Sequence, residues 1–120
     1  MITRIALYVR DLRKIAAFYE KHFGFRRVIA ATDKIILFPK DGGAALVLLQ
    51  ASRGHRIGQS GVKIIFDLAD VEAFKAERAK AGLKFGTLHR GPGYVFSNAR
   101  DPAKNLIQIS NAHLRDPELG

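Results

Sequence analysis

Histidines are the residues of this chain best suited to bind a metal or to transfer a proton near neutral pH. The sequence has four of them, and no two are two or four positions apart, so no strand or helix turn brings a pair to one face: His22, His55, His89 and His113. The chain has no cysteine, which excludes disulfides, thiolate metal sites and cysteine nucleophiles. We therefore expect these histidines to lie on the surface or in loops rather than in one metal site.

The charged residues are biased towards cations, with 20 Lys and Arg against 11 Asp and Glu and a net charge of +9. Such an excess attracts anionic partners, whether nucleic acids, phosphate esters or carboxylates. No run of five like charges occurs, and no helix-turn-helix, zinc-finger or RNP-type motif accompanies the charge, so we do not expect nucleic-acid binding. A generally basic, well-solvated surface explains the charge equally well, and charge alone does not choose between this and a small anionic ligand.

The first half of the chain predicts a strand, a helix and three further strands. The β-prone segment Ile2–Val9 precedes Asp11, whose carboxylate suits a helix N-cap. Apolar residues at helical spacing then predict a helix over 12–23, and Gly24 ends it; they are Ile15, Phe18, Tyr19 and Phe23. The three strands are predicted at Phe25–Thr32, Lys34–Pro39 and Ala44–Gln50, the last after the Gly42–Gly43 turn.

The second half repeats this pattern after a polar segment. It predicts a strand at Val62–Leu68, an N-cap at Asp70, a helix over Val71–Ala81 that Gly82 ends, and strands at Lys84–His89, Tyr94–Asn98 and Asn105–Asn111. The halves match at an offset of 59 in their first strands, as Ile5 and Ile64 show, and of 60 in their last, as Leu46 and Leu106 show.

This repeat predicts an α+β fold of two βαβββ modules within one domain of 120 residues. Module one spans about 1–52 and module two about 61–112. A linker joins them at about 51–61, and a loosely held tail covers 113–120.

Two segments carry a resemblance to a known family. The segment Arg10-Asp11-Leu12, followed by Phe18-Tyr19 and Phe23-Gly24-Phe25, resembles the opening motif of the vicinal oxygen chelate superfamily, which includes glyoxalase I, bleomycin-resistance proteins and extradiol dioxygenases. The segment from Arg100 to Ile107 resembles its closing motif, with Lys104 where the family usually has Gly. The resemblance covers about residues 2–111 and implies strands that curl around a pocket.

In that superfamily His, Glu or Gln side chains from four strands hold a divalent metal. Matched residue by residue, these positions are Arg4, Leu48, Lys63 and Gln108. Arg4 and Lys63 are cations, which repel a divalent ion and in their charged forms have no lone pair to offer it. Leu48 is apolar and has none either. We therefore expect no metal and no cofactor. Strand alternation adds Tyr8 and Asp67, so the predicted ligand-binding residues are Arg4, Tyr8, Leu48, Lys63, Asp67 and Gln108.

The resemblance implies a protein of the glyoxalase/bleomycin-resistance/dioxygenase type with a pocket between the modules. The cations Arg4 and Lys63 at the ligand positions favour a small anionic molecule bound there without a metal. Bleomycin itself is a cationic glycopeptide and does not suit a chain of charge +9. The alternative is an enzyme: a metal-dependent lyase, isomerase or dioxygenase with displaced ligands, or one that uses Lys63 as an amine base or nucleophile. Lys63 also has two structural explanations, an internal ion pair with Asp67 or extension into solvent.

The family resemblance also implies a homodimer, which is the commonest assembly of proteins in general. No apolar run approaches the roughly 18 residues that a membrane-spanning helix needs, and we expect no membrane association. The N-terminus lacks the pattern of a secretory signal, so a cytoplasmic location is expected.

Overall fold

The computed structural model describes residues 2–54 and 62–113. They divide into two compact units, the first formed by the described residues up to 54 with Asp101–Asn105, and the second by Val62–Arg100 with the described residues from Leu106 onwards. The predicted linker from position 55 to 61 and the predicted tail from position 114 lie outside the described residues.

The first unit contains one helix and a four-stranded sheet in its described part. Its elements are β1 (Arg4–Val9), α1 (Leu12–Phe23), β2 (Arg26–Ala30), β3 (Lys34–Phe38) and β4 (Ala45–Gln50). The strand order is β1-β4-β3-β2, with β1 parallel to β4 and the other pairs antiparallel. All five predicted elements are present, with ends that differ by at most two residues from those predicted.

The second unit repeats this topology in its described part. Its elements are β5 (Lys63–Asp67), α2 (Val71–Lys80), β6 (His89–Gly91), β7 (Tyr94–Arg100) and β8 (Leu106–Ser110), in the order β5-β8-β7-β6. Here β5 is parallel to β8. The prediction of an α+β fold built from two βαβββ modules is therefore confirmed.

The predicted strand over 84–89 is wrong, because β6 begins only at His89. The apolar residues Leu83 and Phe85 are buried, and the Phe85 ring packs edge-on against Phe74 of α2. Gly86 donates one backbone hydrogen bond to the Asn98 carbonyl, at 2.8 Å. The alternating apolar residues of this segment are thus buried in an irregular stretch and are not part of a strand.

Both helices begin where an aspartate accepts a backbone hydrogen bond. Asp11 Oδ1 accepts from the Lys14 N–H at 3.1 Å, and Asp70 Oδ1 accepts from the Ala73 N–H at 3.0 Å. The first helix ends at Gly24 with φ of 70°, a left-handed conformation that glycine adopts without a steric penalty. The predicted N-caps at Asp11 and Asp70 are confirmed.

The helix α1 covers one face of the first sheet. Its buried residues include Leu12, Ile15, Ala16 and Tyr19, and they pack against the sheet side chains that point to the same side. Those sheet residues are Leu7, Val9, Ile35, Leu37, Leu46 and Leu48, all at most 8% exposed. Among the described residues of the first unit no helix covers the opposite face of the sheet, so strand alternation gives each strand a core side and an open side.

The closing motif holds its loop to α1 through one buried carboxylate. The Tyr19 hydroxyl, on a fully buried side chain, donates to Asp101 Oδ2 at 2.7 Å. Asp101 Oδ1 accepts from the backbone N–H groups of Ala103 and Asn105, at 2.9 and 2.8 Å, and Oδ2 accepts from Asn105 Nδ2 at 3.0 Å. Burial, and then the charge and hydrogen bond of Asp101, raise the pKa of the Tyr19 phenol well above its ordinary value. Tyr19 therefore stays a protonated donor.

This arrangement predicts an alkaline loss of stability that depends on Tyr19. Folding raises the pKa of this phenol, so as the pH rises above about 10 the phenol loses its proton in the unfolded chain and keeps it in the folded one. In that range the free energy of unfolding falls by about 1.4 kcal/mol per pH unit from this group alone. Tyr19→Phe should lower stability by about 1.5–3 kcal/mol at pH 7 and remove that share of the alkaline slope. Urea unfolding at about pH 7 and about pH 11 measures both, and equal alkaline slopes for the two proteins would contradict the account.

The departure of Lys104 from the family motif also has a measurable cost. Lys104 has φ of 68°, and its N–H donates to the Asp101 carbonyl at 2.8 Å to close the turn. A residue with a Cβ is strained in this left-handed conformation, by about 1–2 kcal/mol, whereas glycine is not. Lys104→Gly should therefore raise the melting temperature by roughly 2–5 °C after the flexibility of glycine is allowed for. Lys104→Ala is the control for the lost charge; an equal gain in that variant would show that strain is not the cause.

Candidate functional site

The open face of the first sheet carries two of the predicted site residues. Along β1, Arg4, Ala6 and Tyr8 are exposed, whereas Leu7 and Val9 are buried against the helix side. The parallel pairing with β4 adds Val47 and Leu49 to the side of Ala6 and Tyr8. Arg4 and Tyr8 thus share one face, as predicted, and that face is apolar with a guanidinium at one end.

Leu48 is not on this face. It pairs with Leu7, is fully buried and points to the helix side of the sheet. The prediction placed it with Arg4, which is wrong by one position in strand register, and a shift of one residue turns a side chain to the opposite face. Arg4 pairs with Ala45 and Lys63 pairs with Leu106, so the offset between the modules grows from 59 in their first strands to 61 in their last.

The corrected register changes which residues of the two modules are equivalent. At an offset of 61 the first-module counterpart of Gln108 is Val47, on the open face of its sheet, and not Leu48. Val47 is as apolar as Leu48 and has no lone pair to offer a metal. The correction therefore changes the residue but not the chemistry expected of that position.

The open face of the second sheet brings three predicted residues together. Lys63, Ile65 and Asp67 alternate along β5 with the buried Ile64, and Ile65 pairs with Gln108 on β8. Lys63, Asp67 and Gln108 therefore lie on one face. Four positions along a strand span about 13 Å, so Lys63 and Asp67 are too far apart for a direct ion pair along the strand. Internal pairing with Asp67 is thereby excluded as the explanation for Lys63.

Gln108 is held by a partner that the sequence did not single out. Its Nε2 donates to Asn98 Oδ1 at 2.9 Å, across the β7–β8 pairing that places the two residues opposite each other. This bond uses one amide donor of Gln108 and the amide oxygen of Asn98. The Gln108 oxygen and the Asn98 amino group still offer an acceptor and a donor at this face.

Three stacked rings extend the same face towards the sheet edge, and we call them the aromatic platform: His89, Tyr94 and Phe96. Phe96 stacks on His89 with ring centroids 5.2 Å apart and on Tyr94 at 5.8 Å. Gly91 pairs with Tyr94, and a Cβ at this glycine would lie 2.3 Å from the tyrosine ring, so a larger residue would displace the ring from this position. The alternation Tyr94-Val95-Phe96 is the one sequence signal that could have indicated it.

The superfamily implies a divalent metal, and the residues present do not fit one. The corresponding positions are Arg4, Val47, Lys63 and Gln108, of which only the Gln108 amide oxygen is a metal donor. Within the described ranges 2–54 and 62–113, no three His, Asp or Glu side chains come close enough together to hold a metal ion. The donor set therefore gives no basis for deriving a metal-assisted step at this site.

Comparisons with known proteins agree with the fold and the motifs. The model of the Glyoxalase/Bleomycin resistance protein/Dioxygenase superfamily matches residues 1–109, so the chain belongs to this family. No curated protein is significantly similar in sequence to it. Among the described residues, no helix is long and apolar enough to cross a membrane.

Solved structures of the same fold include an enzyme and a binding protein. The chain is similar to lactoylglutathione lyase from Agrobacterium tumefaciens, with 26% identity over 92% of each chain and a TM-score of 0.72. It is also similar to UcmS2, with 18% identity over 93% of this chain and 98% of the other, and a TM-score of 0.79. TnmS3, an antibiotic binding protein from Streptomyces sp. CB03234, matches with 20% identity over 91% and 93% of the two chains and a TM-score of 0.77.

Proposed function

We propose that this protein binds a small anionic molecule with an apolar or aromatic body and needs no metal to do so. The observation that carries the proposal is the chemistry of the open sheet faces, where Arg4 and Lys63 stand at positions that supply metal ligands in the superfamily. A fixed cation at such a position replaces the attraction that a metal ion exerts on a ligand oxyanion.

On the first sheet, Arg4 lies beside an apolar surface. Tyr8 is 48% exposed there, and Val47 and Leu49 are half-buried beside it. A guanidinium binds a carboxylate or phosphate through two parallel hydrogen bonds, and the neighbouring side chains accept an apolar body. The face thus offers both parts of the proposed ligand a complementary surface.

On the second sheet, Lys63 is accompanied by polar and aromatic groups. Asp67 accepts hydrogen bonds, the Gln108–Asn98 pair offers one acceptor and one donor, and the aromatic platform offers a flat surface for stacking. These groups favour a ligand with a planar ring and a few hydroxyl or carbonyl groups. TnmS3 provides a precedent for small-molecule binding on this fold.

An enzyme of the glyoxalase type is the second candidate, favoured by the likeness to lactoylglutathione lyase. It would need metal ligands from outside the matched positions, or Lys63 acting as an amine base or nucleophile. We also propose a cytoplasmic location, as expected from the sequence.

We further propose that the protein is a homodimer in which a second copy covers part of the first sheet. Two large side chains on the neighbouring strands β2 and β3 are each nearly half exposed on its open face, Ile29 at 46% and Phe38 at 44%, at the edge of the sheet opposite to Tyr8. Clustered exposed apolar side chains of this size are typical of interaction surfaces.

The homodimer is tested by one substitution on this surface. Ile29→Asp places a charge among the exposed apolar side chains and should convert the protein to a monomer in sedimentation velocity. The control is Ile2→Asp, the same change at a side chain that is 79% exposed before β1, which should remain a dimer. A monomeric wild-type protein, or equal dissociation of both variants, contradicts the proposal.

The ligand proposal is tested by NMR titration of EDTA-treated protein with phenyl phosphate and with benzoate. We expect saturable shifts on the open faces, and about tenfold weaker binding in Arg4→Gln or Lys63→Gln, since each removes a charge-assisted hydrogen bond. The matched control is Arg90→Gln, because the Arg90 side chain is 73% exposed and lies 3.8 Å from the Glu72 carboxylate, which is 66% exposed. Its affinity should be unchanged.

The same titration separates the two candidate functions. Binding that appears only after stoichiometric addition of Zn²⁺, Ni²⁺ or Mn²⁺ overturns the metal-independent proposal and favours the enzyme with displaced ligands. Equal weakening in Arg90→Gln attributes the effect to net charge rather than to the open faces, and also contradicts the proposal.

A further inference from the structure

A groove of about 680 Å³ lies in the first unit, where β1 and β4 end and α1 begins. It is on the helix side of the sheet, because Ile35 and Gln50 in its wall pair with Leu48 and Val9 of the buried face. The groove is therefore separate from the open face that carries Arg4 and Tyr8. The polar residues of its wall are Arg10, Asp11, Arg13, Arg27, Thr32 and Gln50.

The described wall of this groove is strongly cationic. Three arginines line it, Arg10, Arg13 and Arg27, against one acidic residue, Asp11. The Asp11 carboxylate is already engaged, since its Oδ1 accepts the Lys14 N–H that caps α1. Arg27 forms an ion pair with Glu20, but the three guanidinium groups still outnumber these two carboxylates, and an excess of cations at a concave surface attracts and orients oxyanions.

Hydrogen bonds hold the rim of the groove in place. Arg10 Nη1 donates to the Ser52 carbonyl at 2.9 Å, and Gln50 Nε2 donates to the Arg10 carbonyl at 2.9 Å. These bonds join the end of β1 to the end of β4 without using an acidic side chain. They hold Arg10 at the rim of the groove.

One hydrogen-bond donor of Arg27 has no acceptor in the described part of the chain. Its Nη2 bonds to Glu20 Oε1 at 2.7 Å, whereas its buried Nε–H has no partner among the described residues. An unpaired buried donor is unfavourable. An oxyanion in the groove is a group that could satisfy Arg27 after a small side-chain movement.

We propose that this groove is a second binding site, for a small molecule that carries phosphate or carboxylate groups. The three arginines bind the oxyanion, and Gln50 and Thr32 supply neutral polar groups at the wall. The site is independent of the proposed function of the open sheet faces.

The test is calorimetric titration with pyrophosphate and with citrate at constant ionic strength, supported by NMR. We expect saturable binding of at least one probe, with amide shifts at Thr32 and Gln50. Arg13→Gln should weaken binding about tenfold, and this exposed helix position allows the variant to fold. Arg27→Gln should weaken it similarly, with thermal melting as the check on folding. A preference for pyrophosphate or for citrate assigns the ligand to phosphates or to carboxylates.

Two control variants make the result specific. Arg90→Gln makes the same change in charge in the second unit, and Arg26→Gln makes it at an exposed position of β2 beside Phe38 on the open face; both should retain wild-type affinity for these probes. No saturable binding, or equal weakening in Arg90→Gln, overturns the groove site. Weakening by Arg4→Gln with no effect of Arg13→Gln also overturns it and assigns the anion to the open face.

Discussion

Parallel pairing of the first and last strands of each module determines which side chains this protein can present to a ligand. The pairing of β1 with β4, and of β5 with β8, decides for every residue whether it faces the core or the open side of its sheet. Arg4, Tyr8, Lys63, Asp67 and Gln108 are candidates for binding because this register places them on open faces. Leu48 is a core residue for the same reason.

The motifs by which the family is recognised serve the fold rather than the chemistry. Asp11 caps α1, and Tyr19 of that helix bonds to the buried Asp101 of the closing motif, whose carboxylate also organises its own turn. None of these groups lies on an open sheet face. A chain can therefore keep both motifs, and with them the fold, while the residues of the open faces take other roles.

The sequence predicted best what depends on local physics. Helical periodicity, aspartate caps and glycine stops locate the two helices from neighbouring residues alone, and β-prone apolar segments bounded by turn residues locate nearly all the strands. The face shared by Arg4 and Tyr8 also follows from alternation within one strand. Strand register across a sheet does not follow from such local patterns, because it depends on loops whose lengths differ between the two modules. The predicted position of Leu48 was wrong for that reason.

Other parts of the site are created by pairing between distant segments. The Gln108–Asn98 bond and the stack of His89 on Phe96 need the β7 register. The groove collects Arg10 and Arg27 from segments separated by a helix. No spacing rule along the chain brings these residues together. The irregular segment before β6 shows the reverse case, in which strand-like alternation arises from burial without a partner strand.

The central claim is that fixed cations on the open faces hold an anionic ligand where the superfamily uses a metal. The most direct test is a crystal structure of the protein with phenyl phosphate bound. We predict the phosphate oxygens within hydrogen-bond distance of the Arg4 guanidinium or the Lys63 ammonium, with no metal ion between protein and ligand. A metal ion coordinated by Gln108, or a phosphate that touches neither cation, would contradict the account.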